Sequence, residues 1–148
     1  LIDTGLLMNL QSMPLKDIML ATDVELVNKG AIAEMLAGLE IIKYTDCFIK
    51  SESYYWQQNS RTGNAEVDYL ISHEGQVLPI EVKASTRGSM QSLYLFMRKK
   101  HLTDAIRTSL ENFASFKYVD NEDDGATRNI RVVPLYALSC ISNSAHQL

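Results

Sequence analysis

A chain of 148 residues, 46% hydrophobic and 22% charged, is the size of one ordinary domain. Roughly two-thirds of its surface is buried on folding, so it needs neither a metal nor a disulfide to fold. Its apolar runs are short and broken by charge, as from Ile41 to Lys43. That excludes a membrane span or signal-peptide core and predicts a cytoplasmic setting with no membrane partner. The net charge of −4 argues against a general nucleic-acid coat, because such affinity comes from neutralised phosphates.

The opening Leu1-Ile2-Asp3-Thr4-Gly5-Leu6-Leu7 reads as a strand or turn cut from something longer, so residues 1–28 are expected to be a lead-in from a preceding part. Residues 15–29 have a helix-compatible pattern. A stronger helix is predicted over Lys29–Lys43, with Ile32, Met35, Leu36, Leu39 and Ile42 as its core stripe. Glu34 falls opposite that stripe, beside Ala37, Gly38 and Ile41, whose small side chains would let that side approach a sheet closely. Tyr54-Tyr55-Trp56 reads as a strand whose aromatics are core, with stacking on nucleic-acid bases as the other reading. Two strands then flank Glu74-Gly75.

Ser89 is the expected N-cap of a helix to about His101, with Met90, Leu93, Met97 and Tyr94 facing inward. Strands are expected at Asp104–Thr108 and Arg131–Leu138, separated by a solvated loop at Asn121–Gly125. Between Lys83 and Arg107 six Lys/Arg stand against the one acid Asp104, whereas Asp120–Asp124 holds four acids. One basic face can therefore coexist with an acidic whole. Cys47 and Cys140 have no metal-ligand spacing and read as buried free thiols. The order α-β-β-β-α-β-β over residues 1–148 favours one α/β or α+β domain, a sheet with helices on its faces.

The Glu74-Gly75 hairpin carries the chemistry. If these two residues form the turn, partner numbers sum to 149, setting Asp68 opposite Glu81 and Glu66 opposite Lys83. Val67, Tyr69 and Ile71 then line the other, apolar face with Val82, Ile80 and Leu78, and that face must pack on a helix. Like charges across a ladder cost on the order of 0.2–1 kcal/mol. Three readings of the acid pair remain open: it is solvated, with a Glu66–Lys83 cross-strand pair; Lys83 and nearby arginines neutralise it; or it holds a hard divalent cation.

Glu34 on a helix, then Asp68, then Glu81-x-Lys83 followed by a helix, resembles the active-site pattern of the PD-(D/E)XK, or restriction-endonuclease-like, superfamily, with Val67-Asp68 where that motif opens with Pro-Asp. More broadly, Asp3–Leu7, Gly30–Glu34, Tyr55-Trp56, Ala65–Asp68, Pro79–Lys83, Ala105–Ser109 and Pro134–Ala137 are similar, in order, to the C-terminal domain of unknown function of bacterial and archaeal AAA-type ATPases. The resemblance implies an α/β fold with a restriction-endonuclease-like core, a mixed central β-sheet flanked by helices, and a partner in the ATPase portion of the same protein. It also implies Mg²⁺ on Asp68 and Glu81, with Glu34 as a further ligand or water-orienting carboxylate. Lys83 would steady the attacking hydroxide or the phosphorane charge. No Walker-type glycine-rich segment occurs, so ATP chemistry would belong to a preceding part. Arg107, Lys99 and Lys100 are candidate DNA contacts, Arg107 with a structural ion pair as its plainer role. The expected function is a metal-dependent nuclease-like domain acting on or binding DNA. The competing expectation is a catalytically silent interaction or regulatory module of the same ATPase.

Overall fold

A computed structural model describes residues 3–10, 29–44, 53–60, 63–84 and 88–146. Residues 15–28, Cys47 and Arg87 lie outside them, as does most of the expected lead-in. The elements are α1 (Thr4–Leu10), α2 (Lys29–Tyr44), β1 (Tyr54–Ser60), β2 (Gly63–His73), β3 (Gln76–Glu81), α3 (Gln91–Lys100), β4 (Asp104–Ser109), β5 (Ala114–Asp120), β6 (Ala126–Pro134) and a closing 3₁₀ helix (Leu135–His146). The strands form one mixed sheet in the order β1-β2-β3-β4-β6-β5. No helix among the described residues is long and apolar enough to cross a membrane.

The β2–β3 turn is set locally. Glu74 at φ 51° and Gly75 at φ 77° give the left-handed pair that a two-residue hairpin requires. The register follows as expected, from His73↔Gln76 to Tyr69↔Ile80. Strands β3 and β4 run parallel, Ile80 beside Ile106 and Glu81 beside Arg107. A parallel neighbour needs a long crossover, and α3 lies within it. Strand β6 continues the parallel run beside β4, and β5 closes that edge antiparallel.

Helices cover both sheet faces. On one, Ala33, Ala37 and Ile41 of α2 pack with Ile71, Leu78, Ile80, Val82 and the 3₁₀ helix around Leu138. On the other, Leu93, Phe96 and Met97 of α3 pack on Val67, Ala105 and Ile130. Trp56 meets Phe96 with ring centroids 5.1 Å apart, and Tyr94 stacks on Tyr118 at 3.8 Å.

Several expectations are corrected. Residues 4–7 begin a helix. The buried side of α2 is Ala33–Ala37–Ile41, whereas Leu36 and Ile42 of the expected stripe are exposed, because the small residues let the helix approach the sheet more closely than the bulky stripe would. Met90 takes the N-cap position of α3 without a side-chain cap; Ser89 Oγ only accepts from the Gln91 N–H at 3.3 Å. Strand β5 was not expected, and β6 ends at Pro134, where the 3₁₀ helix starts. Cys140 is exposed.

The Asn121–Gly125 segment is an exposed turn, as expected, with Asp123 half-buried, and it carries ion pairs beside the buried end of β5. Asp120, fully buried, receives Arg98 Nε and Nη2 at 3.0 Å each and Arg128 Nε at 3.2 Å. Arg98 also pairs with Glu122, and Arg128 with Asp123. The acidic turn thus neutralises part of the basic stretch.

Candidate functional site

The site forms where the hairpin ladder stops. Beyond Tyr69↔Ile80 the next backbone bond is replaced by a side chain: the Val82 N–H donates to Asp68 Oδ2 at 2.7 Å. One residue on, the Lys83 N–H donates to Thr108 Oγ1 at 2.8 Å, and the Thr108 hydroxyl donates back to the Lys83 carbonyl at 3.2 Å. Side chains therefore hold residues 82 and 83 just where the strand leaves its neighbours.

A register break on the other side of β2 shapes the cleft. Tyr54 pairs with Leu70 but Trp56 with Val67, so Tyr55 alone faces both Asp68 and Tyr69. Such a bulge re-aims side chains and is frequent beside functional sites. It sends Val67 into the α3 core while Tyr69 and Ile71 pack towards α2, which corrects the expected single face of Val67, Tyr69 and Ile71. Glu66 lies opposite Gln57, and Lys83 pairs with Glu81 at 2.7 Å in place of the Glu66–Lys83 pair.

Glu34 reaches the same place from α2. The Tyr69 hydroxyl donates to the Glu34 carbonyl at 2.9 Å. A Cβ on Gly38 would sit 2.8 Å from that hydroxyl, so a glycine there permits the close approach of α2. Glu34, Glu66, Asp68, Tyr69, Tyr54 and Tyr55 line one cleft of about 280 Å³. Tyr54 and Tyr55 are 56% and 65% exposed and so are not the core residues expected, whereas Trp56 is partly buried in the α3 core.

The electrostatics are those of crowded anions. Burial raises the pKa of Asp68; the Val82 N–H and Lys83 work against it, and Glu66 adds repulsion. Glu81 is also raised, chiefly by burial, with Lys83 opposing and Asp68 and Glu66 reinforcing. Partial burial and then repulsion from Asp68 and Glu66 raise Glu34. Glu81 is 5% exposed, and its Oε2 is buried with no hydrogen-bond partner among the described residues. Among the described residues no group of three or more His, Cys, Asp or Glu is close enough to hold a metal ion by itself.

The candidate DNA contacts are dispersed. Arg107 is half-buried beside Glu81. Lys99 bonds Gln58, with its ammonium 6.0 Å over the Trp56 ring, and Lys100 is exposed.

With this geometry in place, one family matches: the domain of unknown function DUF4143, over residues 29–138. The chain belongs to that family. The match spans α2 through the start of the 3₁₀ helix and so contains every residue of the acid cluster. No curated protein matches the chain in sequence. Sequence reasoning missed Tyr69 and Thr108 as members of this DUF4143 site. Gly38, small on the Glu34 side of α2, was the one signal of the close approach that brings Tyr69 in.

Proposed function

We propose that this DUF4143 domain has a restriction-endonuclease-like core, holds Mg²⁺ and acts on or binds DNA as the C-terminal part of an AAA-type ATPase. The observation that carries the reading is Glu81 Oε2, a buried carboxylate oxygen without a partner among the described residues, in a cluster of carboxylates that already repel one another. An orphaned buried acceptor costs about 1–3 kcal/mol, more when charged. A hard cation is the group that satisfies oxygen ligands of this kind. The donor set therefore fits Mg²⁺, which often takes only one or two carboxylates and leaves its other positions to water and phosphate oxygens.

Asp68 and Glu81 would hold the ion, with Glu34, which the described residues do not bring into a three-ligand set, as the carboxylate that orients water. When bound, Mg²⁺ supplies phosphate neutralisation and lowers the pKa of water. Lys83 places a point charge beside Glu81, suited to a developing anionic transition state. Tyr54 and Tyr55 offer exposed rings at the cleft, on which bases could stack. The order of α2, three antiparallel strands, α3 and a strand parallel to β3 supports the restriction-endonuclease-like reading.

Calorimetry of the full-length protein with Mg²⁺ or Mn²⁺ tests the reading. Binding that Asp68→Ala abolishes, with Mg²⁺-dependent cleavage or retention of DNA in the presence or absence of ATP, supports it. Absence of metal binding by the full-length protein refutes it. A second reading, the silent interaction or regulatory module, is favoured by the Lys83–Glu81 pair, which already neutralises one carboxylate. It predicts that Glu81→Ala and Lys83→Ala leave every function of the full-length protein intact.

A further inference from the structure

We propose that Thr108 is the positioning residue for Lys83, an inference that rests on the nuclease reading above for its functional meaning. Backbone pairing of β3 with β4 is limited to Ile80↔Ile106 and Glu81↔Arg107, so among the described residues no ladder bond fixes the chain at Lys83. The fully buried Thr108 hydroxyl takes over both backbone groups of Lys83, accepting from its N–H at 2.8 Å and donating to its carbonyl at 3.2 Å.

The rest of Lys83 is held at two further points. Gly88, at φ 153°, lies against the side-chain stem, where an added Cβ would come within 3.2 Å of Cδ. The ammonium meets Glu81 Oε1 at 2.7 Å. With peptide, stem and head each fixed, Lys83 has a defined direction at a point where the strand is otherwise unpaired. The hydroxyl is the part valine cannot supply, although valine matches the shape. Threonine here sets where a charge sits and touches no substrate itself.

Three forms of the full-length protein test this: wild type, Thr108→Val and Thr108→Ser. Lys83 acylation by an amine-reactive ester is followed by mass spectrometry of the Lys83 peptide. Mg²⁺ affinity and the kcat and KM of DNA cleavage are measured alongside. In Thr108→Val, Lys83 acylation rises severalfold as the ammonium leaves Glu81, and kcat falls by up to about 100-fold, the scale of an ångström misplacement. KM and Mg²⁺ affinity stay near wild type. Thr108→Ser, which keeps the hydroxyl, restores slow acylation and kcat even though it loses a buried methyl and some thermal stability.

A folded Thr108→Val with wild-type acylation overturns the proposal, and so does a Thr108→Ser as reactive as the valine variant. If Thr108→Val does not fold, the serine variant decides alone, since protection of Lys83 then tracks the hydroxyl. A wild type that neither binds Mg²⁺ nor cleaves DNA refutes the nuclease reading, while the acylation comparison still decides whether Thr108 positions Lys83.

Discussion

Replacing Asp120 by alanine removes the anion that two guanidinium groups share. Asp120 is fully buried, Arg98 grips both of its oxygens at 3.0 Å, Arg128 reaches Oδ2 at 3.2 Å, and the Glu122 N–H donates to Oδ1 at 3.2 Å. Arg128 is itself only 2% exposed, so the variant leaves a buried cation short of its main counter-charge. Breaking such a pair costs about 3–5 kcal/mol. The lower end applies here, about 3 kcal/mol, because Asp123 and the Leu102 carbonyl still receive Arg128. For a domain of this size each kcal/mol moves Tm by about 2–4 °C, giving a fall of roughly 6–12 °C by calorimetry or circular dichroism. In an Arg98→Met background the effect shrinks, with a coupling of about 0.5–3 kcal/mol. A fall below about 3 °C, or equal losses in both backgrounds, would refute a network in which Asp120 is the shared anion.

The pH dependence of the acid cluster has a definite sign. Burial is the first cause of the raised pKa of Asp68, so its contribution to stability is present below the ordinary aspartate range and is lost as pH rises through the raised folded value. Asp68→Asn keeps an acceptor for Val82 and loses the charge, so its Tm minus that of wild type rises from acid to neutral pH; a difference that stays flat or falls contradicts the assignment. Asp120 behaves oppositely: burial pushes it up, but Arg98, the Glu122 N–H and Arg128 prevail and lower its pKa, so its stabilisation is present above the usual range and lost as pH falls. Gly38→Ala places a Cβ 2.8 Å from the Tyr69 hydroxyl. Overpacking of about 1–3 kcal/mol exceeds the helix-propensity gain of about 1 kcal/mol over most of its range, so urea unfolding shows a net loss; higher stability would show that α2 does not depend on that close approach.

Where local chemistry decides, the sequence was enough by itself. Glu74-Gly75 supplies two left-handed residues, and that alone sets the β2–β3 register from His73↔Gln76 to Tyr69↔Ile80. The helices at Lys29–Tyr44 and Gln91–Lys100 follow from periodicity, whereas the parallel pairing of β3 with β4 is seen only in the structure. Periodicity did not choose which face of α2 is buried, because both the bulky stripe and the Ala33–Ala37–Ile41 side are apolar, and only contact with the sheet selects the smaller one. Strand β5 is mostly exposed and has no alternation of burial; pairing with β6 makes it a strand, a non-local cause that no window of sequence contains.

The candidate site divides in the same way. Asp68, Glu81 and Lys83 could be named from spacing on one hairpin, since a turn fixes which residues lie near one another across it. The bulge that sets Tyr55 against Asp68 and Tyr69, the reach of Glu34 from α2 and the grip of Thr108 on Lys83 belong to the tertiary structure. Each joins segments brought together by the burial of two sheet faces, and burial of a whole sheet is a property of the folded chain that no local stretch of residues determines.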